Sequence, residues 1–192
     1  MKYIYSQDSF SKEELESIWH SRLLKDYSEY NLEKRESIIR WLLGQDLEQL
    51  DQLTSRQLAI AAQLMNYRYQ ILQQRYLEVE PSQAYCNLIA RLGSLVMLCR
   101  KIRAWVALGE QRKKVVIDVL QATVESILKR DRVLQKQMAW IAQLTGDRNL
   151  RDALLLSCLE EYCLRPICYQ PLLVEQMISF LQSSSASLCN KK

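Results

Sequence analysis

The stretch Thr54-Ser55-Arg56-Gln57-Leu58-Ala59-Ile60-Ala61-Ala62-Gln63-Leu64-Met65-Asn66-Tyr67-Arg68-Tyr69-Gln70-Ile71-Leu72-Gln73-Gln74-Arg75-Tyr76-Leu77 decides the fold class. It contains neither glycine nor proline. Leu58, Ala61, Leu64, Met65, Tyr69, Ile71, Leu72 and Tyr76 recur at the spacing of one helix face, and Thr54 or Ser55 offers a side-chain oxygen to cap the first free N–H groups. A periodic run of this length is an amphipathic helix, and its apolar stripe has to be covered by other elements.

The same pattern extends in both directions. Upstream, Ser11-Lys12-Glu13-Glu14 is a capping box that opens a helix with Leu15, Ile18, Trp19, Leu23 and Leu24 on one stripe. A second helix is predicted from Asn31 through Ile38, Ile39, Trp41 and Leu42 to Gly44, and a short one over 46–53. Downstream, Pro81 suits a first helical turn and disfavours helical geometry at Glu80, so a new helix reads over 81–108. From Glu110 to Leu144 the stripe Val115, Val116, Val119, Leu120, Val124, Ile127, Leu128, Leu134, Met138, Ile141 is nearly continuous, and Thr145-Gly146-Asp147 stops it. A helix over 148–165 ends before Pro166, and a last one begins near Pro171. Four glycines and three prolines in 192 residues fall well below the roughly 12% of an ordinary chain. Too few turn residues remain to punctuate a many-stranded β protein. The reading is an all-α, single-domain multi-helix bundle of seven or eight helices over 11–182. An irregular N-terminal arm over 1–10 precedes it, and a flexible serine-rich tail over 183–192 follows.

Several function classes drop out. No stretch supplies the uncharged apolar run that a bilayer span needs, and the start lacks the apolar core of a secretory signal. Cys86, Cys99, Cys158, Cys163, Cys168 and Cys189 lie five or more residues apart with no CxxC pair, which reads as reduced core filler in a cytoplasmic protein. His20 is the only histidine, so zinc and di-iron sites lack ligands, and no phosphate-cradling glycine loop is present. Trp19, Trp41, Trp105 and Trp140 read as core anchors. The expectation is a non-enzymatic protein with no catalytic residue, cofactor or metal.

Charge is unevenly placed. Residues 1–80 hold 10 basic and 13 acidic groups, residues 81–136 hold 11 and 4, and residues 137–192 hold 5 and 5. Arg91, Arg100, Lys101, Arg103, Arg112, Lys113 and Lys114 put seven positive charges in 24 residues, opposed by Glu110 alone. Such density attracts a polyanion and releases its counterions. The competing reading is a solvated face neutralised by the acidic N-terminal helices. On a helix over 94–108, Leu95, Leu98, Ile102 and Trp105 or Val106 form the inward stripe while Arg100, Lys101 and Arg103 face outward.

Residues 88–103 also lie on the helix-turn-helix pattern, with Gly93 in the turn and Ser94 capping the second helix. Gly93 equally fits the inside of one straight helix, as a small residue at a crossing. Together with Leu53-Thr54-Ser55-Arg56-Gln57 and Gln74-Arg75-Tyr76-Leu77-Glu78, the run Ile89-Ala90-Arg91-Leu92-Gly93 resembles the order of elements in region 4 of sigma factors.

Over about residues 54–181, a set of blocks resembles cyanobacterial proteins related to the heterocyst-differentiation regulator HetZ. These are Arg91-Leu92-Gly93-Ser94-Leu95-Val96-Met97-Leu98, Lys101-Ile102-Arg103-Ala104-Trp105-Val106-Ala107-Leu108, Leu154-Leu155-Leu156, Leu159-Glu160-Glu161-Tyr162-Cys163-Leu164-Arg165-Pro166-Ile167 and Gln170-Pro171-Leu172-Leu173-Val174. The resemblance implies a helical cytoplasmic regulator of transcription or differentiation with DNA and protein partners. Two functions follow as expectations. In the first, residues 88–114 bind DNA, with Arg91, Lys113 and Lys114 on phosphates and Arg100, Lys101 and Arg103 toward the groove. In the second, a helical adaptor or chaperone docks an acidic protein, as a homodimer through the long 110–144 helix.

Overall fold

The computed structural model describes residues 11–109 and 111–164, and beyond them 166–167, 170–171, 174 and 177–179. The expected arm over 1–10, the tail over 183–192 and most of the last helix near Pro171 lie outside the described residues; Val174 and residues 177–179 are helical. The fold is all-α. Nine helices are described: α1 Lys12–Asp26, α2 Leu32–Leu43, α3 Leu47–Asp51, α4 Ser55–Arg75, α5 Pro81–Val96, α6 Arg100–Val106, α7 Gln111–Arg130, α8 Arg132–Leu144 and α9 Arg148–Leu164. After α9, Pro166 and Ile167 pair antiparallel with Pro171 and Gln170, too short a pairing to make a sheet. No described helix is long and apolar enough to cross a membrane.

The described residues gather into two compact units, residues 11–78 with 140–154 and residues 79–139 with those described from 155 onward. In the first, α2 packs on α1 and α4, burying Trp19, Leu23, Ile38, Trp41, Tyr69 and Leu72. The helix ends form as their sequences dictate. Ser11 and Thr54 make full capping boxes with Glu14 and Gln57, Asn31 accepts from the Lys34 N–H, and Gly44 ends α2 at φ 94°, a backbone that costs a side-chain-free residue little. Within the unit, the Tyr69 hydroxyl donates to Asp26 at 2.8 Å while Arg22 lies over the rings of Trp19 and Tyr69. Tyr30 donates to Glu78 at 3.0 Å, tying the start of α2 to the turn after α4, where Glu78 holds a φ of 62°. Leu64, placed by its period on the α4 core stripe, instead points outward and is 58% exposed.

In the second unit α7 packs on α5 and α6. Two long helices of the sequence reading are each broken, which raises the count. The 81–108 helix stops at Val96 and restarts at Arg100. The buried face of α5 runs through Ala84, Leu88, Leu92 and Val96, and steps of three and four from Val96 land on Cys99, Arg100 and Arg103. A straight helix would therefore drive two guanidinium groups into the core, at a cost no partner there offsets. Residues 97–99 turn instead, with the N–H groups of Met97, Leu98 and Cys99 bonded to Gly93, Leu95 and Val96. The restarted helix then buries Ile102 and Val106.

Gly93 is thus not the turn of a helix-turn-helix. It lies inside α5, where a Cβ would meet Ile117 Cδ1 at 3.3 Å, and Ser94 bonds back to the Ala90 carbonyl rather than capping a new helix. It serves as the small residue at a helix crossing.

The 110–144 helix breaks at Asp131, whose carboxylate accepts the N–H groups of Val133 and Leu134 at 2.9 Å and the hydroxyl of Tyr162. Its apolar stripe, Val116, Leu120, Val124 and Ile127, is buried, in a helix that α5 and α6 cover. Asp131→Ala removes both the cap and the Tyr162 acceptor and should lower unfolding free energy by about 2 kcal/mol in urea titration; Asp131→Asn, which keeps a capping oxygen, should recover at least half of that.

Candidate nucleic-acid interface

The seven cations singled out in sequence divide into two kinds. Arg91 and Arg112 are held by the protein. The Arg91 guanidinium, on α5, lies 3.8 Å from the Glu160 carboxylate of α9, and Glu160 is fully buried. Arg112 donates to the Trp105 carbonyl at 3.0 Å and stacks 4.9 Å from the Trp105 ring, closing the connection between α6 and α7. A cation on the last carbonyls of α6 also suits the helix dipole. Both are engaged within the protein, Arg91 among them, which the sequence reading placed on a phosphate.

The other five are exposed. Arg100, Lys101 and Arg103 lie on α6 and Lys113 and Lys114 on α7, two helices packed on each other. None of the five side chains makes a hydrogen bond or ion pair with a described residue. In the N-terminal third, Asp51 pairs with Lys12 at 2.9 Å and Asp26 with Arg22 at 3.6 Å.

Position adds to the effect of exposure. Arg100 and Lys101 open α6 and Lys113 and Lys114 open α7, and the first turn of each carries no acidic residue. Helix N-termini hold about half a positive charge and favour anions, so each cation there works against the dipole by about 0.3–1 kcal/mol. Cys99 gives α6 no side-chain cap. The result is a concentration of positive potential that the described residues do not neutralise, beside two leucines left outside, Leu98 at 72% and Leu108 at 73% exposure. Leu98, placed on the inward stripe by sequence, is carried out by the break in the helix.

Sequence reasoning did not single out Glu160 as a partner for the basic cluster. Its signal was present: Leu156, Leu159 and Cys163 flank Glu160 at helical spacing, and all are buried. Burial, with the Glu160 carboxylate nearby, pushes the Cys163 thiol up to about 12, and Cys158 approaches Gln137 at 2.9 Å. Cys86, by contrast, is exposed rather than core filler. Among the described residues no group of three histidine, cysteine or acidic side chains is placed to hold a metal ion.

No protein-family model, curated protein or solved structure matches the chain.

Removing Arg91 takes one partner from a buried carboxylate, a change that costs about 3–5 kcal/mol in a fully buried pair. With Arg91 42% exposed and solvent screening the contact, Arg91→Ala should cost about 1–2 kcal/mol by thermal unfolding. Iodoacetamide at pH 8 should alkylate Cys86 in the folded protein and leave Cys163 untouched until denaturant is added, read by peptide mass mapping.

Proposed function

We propose that the chain is a non-enzymatic regulatory protein that binds DNA through α6 and the start of α7. The observation that carries this reading is the set of five exposed cations without a partner among the described residues, four of them at helix N-termini where folding alone disfavours them. Arg100, Lys101, Arg103, Lys113 and Lys114 contact phosphates, and the guanidinium groups of Arg100 and Arg103 are the ones suited to bidentate contact with guanine edges. Arg112 fixes the angle between the two helices and Arg91 stays with Glu160. The resemblance to heterocyst-differentiation regulators implies the same class, with action in the cytoplasm on transcription.

A second reading places an acidic protein on the same surface. Leu98 and Leu108 favour it, since apolar side chains beside cations suit a protein groove better than a phosphate backbone.

Anisotropy titration of duplex DNA across salt concentration separates these. Five phosphate contacts predict a slope of log K against log salt near −4.5, at about 0.9 per contact. Lys113→Ala with Lys114→Ala should flatten it by about 2 for every DNA sequence alike, Arg100→Ala with Arg103→Ala should also relax sequence preference, and Arg91→Ala should leave the slope unchanged. Absence of DNA binding at low salt refutes the first reading and leaves the acidic partner.

A further inference from the structure

We propose that Leu98 and Leu108 read thymine methyl groups in the major groove, one at each end of α6. This rests on the DNA-binding reading and adds to it the contacts that choose a sequence. The starting observation is that these are the two most exposed large apolar side chains among the described residues, at 72% and 73%. Leu98 lies two residues before α6 and Leu108 two residues after it. They therefore border the helix that carries Arg100, Lys101 and Arg103.

Both leucines are held in tight turns. The Leu98 N–H bonds to the Leu95 carbonyl at 3.1 Å and the Leu108 N–H to the Trp105 carbonyl at 3.3 Å, and Arg112 donates to that same Trp105 carbonyl. Between them Ile102 and Val106 point inward, so Arg100, Ala104 and Ala107 fall on the opposite, exposed arc of the helix. Across 97–114 only Glu110 opposes six cations, a balance that draws the surface to a phosphate backbone. Phosphates offer a leucine no apolar partner. The major groove does, because each A·T pair presents the thymine C5 methyl there, beside the O6 and N7 acceptors of neighbouring guanines that an arginine takes in bidentate fashion. The seven residues of α6 span about 10 Å, or about three base pairs at roughly 3.4 Å each. With a turn beyond each end, the leucines reach thymines about four to five base pairs apart, on either side of the guanines met by Arg100 and Arg103.

The test uses the full chain and a duplex about 16 base pairs long, well beyond the span of α6, with dG and dT alternating on one strand. It is titrated by anisotropy beside the same duplex carrying deoxyuridine for every thymidine. Uracil pairs as thymine does and lacks only the methyl. Burying one methyl is worth about fourfold in affinity, so the uracil duplex should bind at least fourfold more weakly, with an unchanged salt slope because the phosphate contacts are the same. Leu98→Ala combined with Leu108→Ala should weaken binding to the thymine duplex by a similar factor and leave the uracil duplex unaffected, so that the variant binds the two alike. Both positions are exposed, so far-ultraviolet circular dichroism should not change. Wild-type protein that binds the two duplexes equally overturns the inference while DNA binding stands. A double variant that still distinguishes them overturns it too, since the preference then comes from duplex shape or another side chain. Failure to bind either duplex at low salt removes the DNA reading itself, and this inference with it, in favour of an acidic protein.

Discussion

Arginine cannot be carried into an apolar interior without a partner, and the second compact unit is arranged around that constraint. The buried face of α5 is in phase with Cys99, Arg100 and Arg103, so the helix has to end before it reaches them. Three residues of tight turn reset the phase, after which Ile102 and Val106 face inward and the arginines face water. The same reset expels Leu98, whose exposure is a by-product of keeping two guanidinium groups solvated. Arg112 then secures the new arrangement through the Trp105 carbonyl and ring. One desolvation penalty thus sets the length of α5, the orientation of α6 and the exposure of the basic surface.

Arg91 and Glu160 show the complementary solution. Glu160 occupies a core position on α9, and its charge is tolerated because a cation reaches it from α5. Arg91 is itself exposed, so the guanidinium keeps part of its hydration while its charge reaches the buried carboxylate. A carboxylate in that position needs a local cation. It therefore draws one member out of the basic cluster and leaves the others unneutralised. The division of seven similar charges into structural and free ones follows from which of them has a buried acid or an open carbonyl within reach.

Much of this was legible in the chain. The capping side chains of Ser11, Asn31 and Thr54, the proline at the start of α5 and the glycine after α2 are local chemistry, so sequence placed those helix ends correctly. Phase was legible as well, but only to a reader who compared stripes across a segment. The face that buries Leu88, Leu92 and Val96 comes round again at Arg100 and Arg103, and that conflict marks the break. Asp131 sits where the stripe of α7 would continue, and an acid on an apolar face marks an interruption in the same way. The pairing of Arg91 with Glu160 was not legible, because nothing in the spacing of two residues 69 positions apart tells which helices meet.

Leu64 is a different kind of miss. Period alone assigns a leucine flanked by apolar neighbours to the core, because a monomer normally hides what it can. On α4, however, Leu58, Ala62, Met65, Tyr69 and Leu72 already fill the inward face, and a helix has only one such face toward a given neighbour. Leu64 lies outside that arc, in line with Ile60 and Tyr67. A second apolar stripe on a helix whose first is satisfied does not stabilise the isolated fold, and it raises the free energy of the solvated surface by roughly 25 cal/mol for every Å² left in water. The absence of opposing charge beside it sharpens the contrast with α6, where exposed leucines sit among cations. The two surfaces are therefore chemically distinct: exposed leucines among cations at α6, and an exposed apolar stripe of Ile60, Leu64 and Tyr67 at α4.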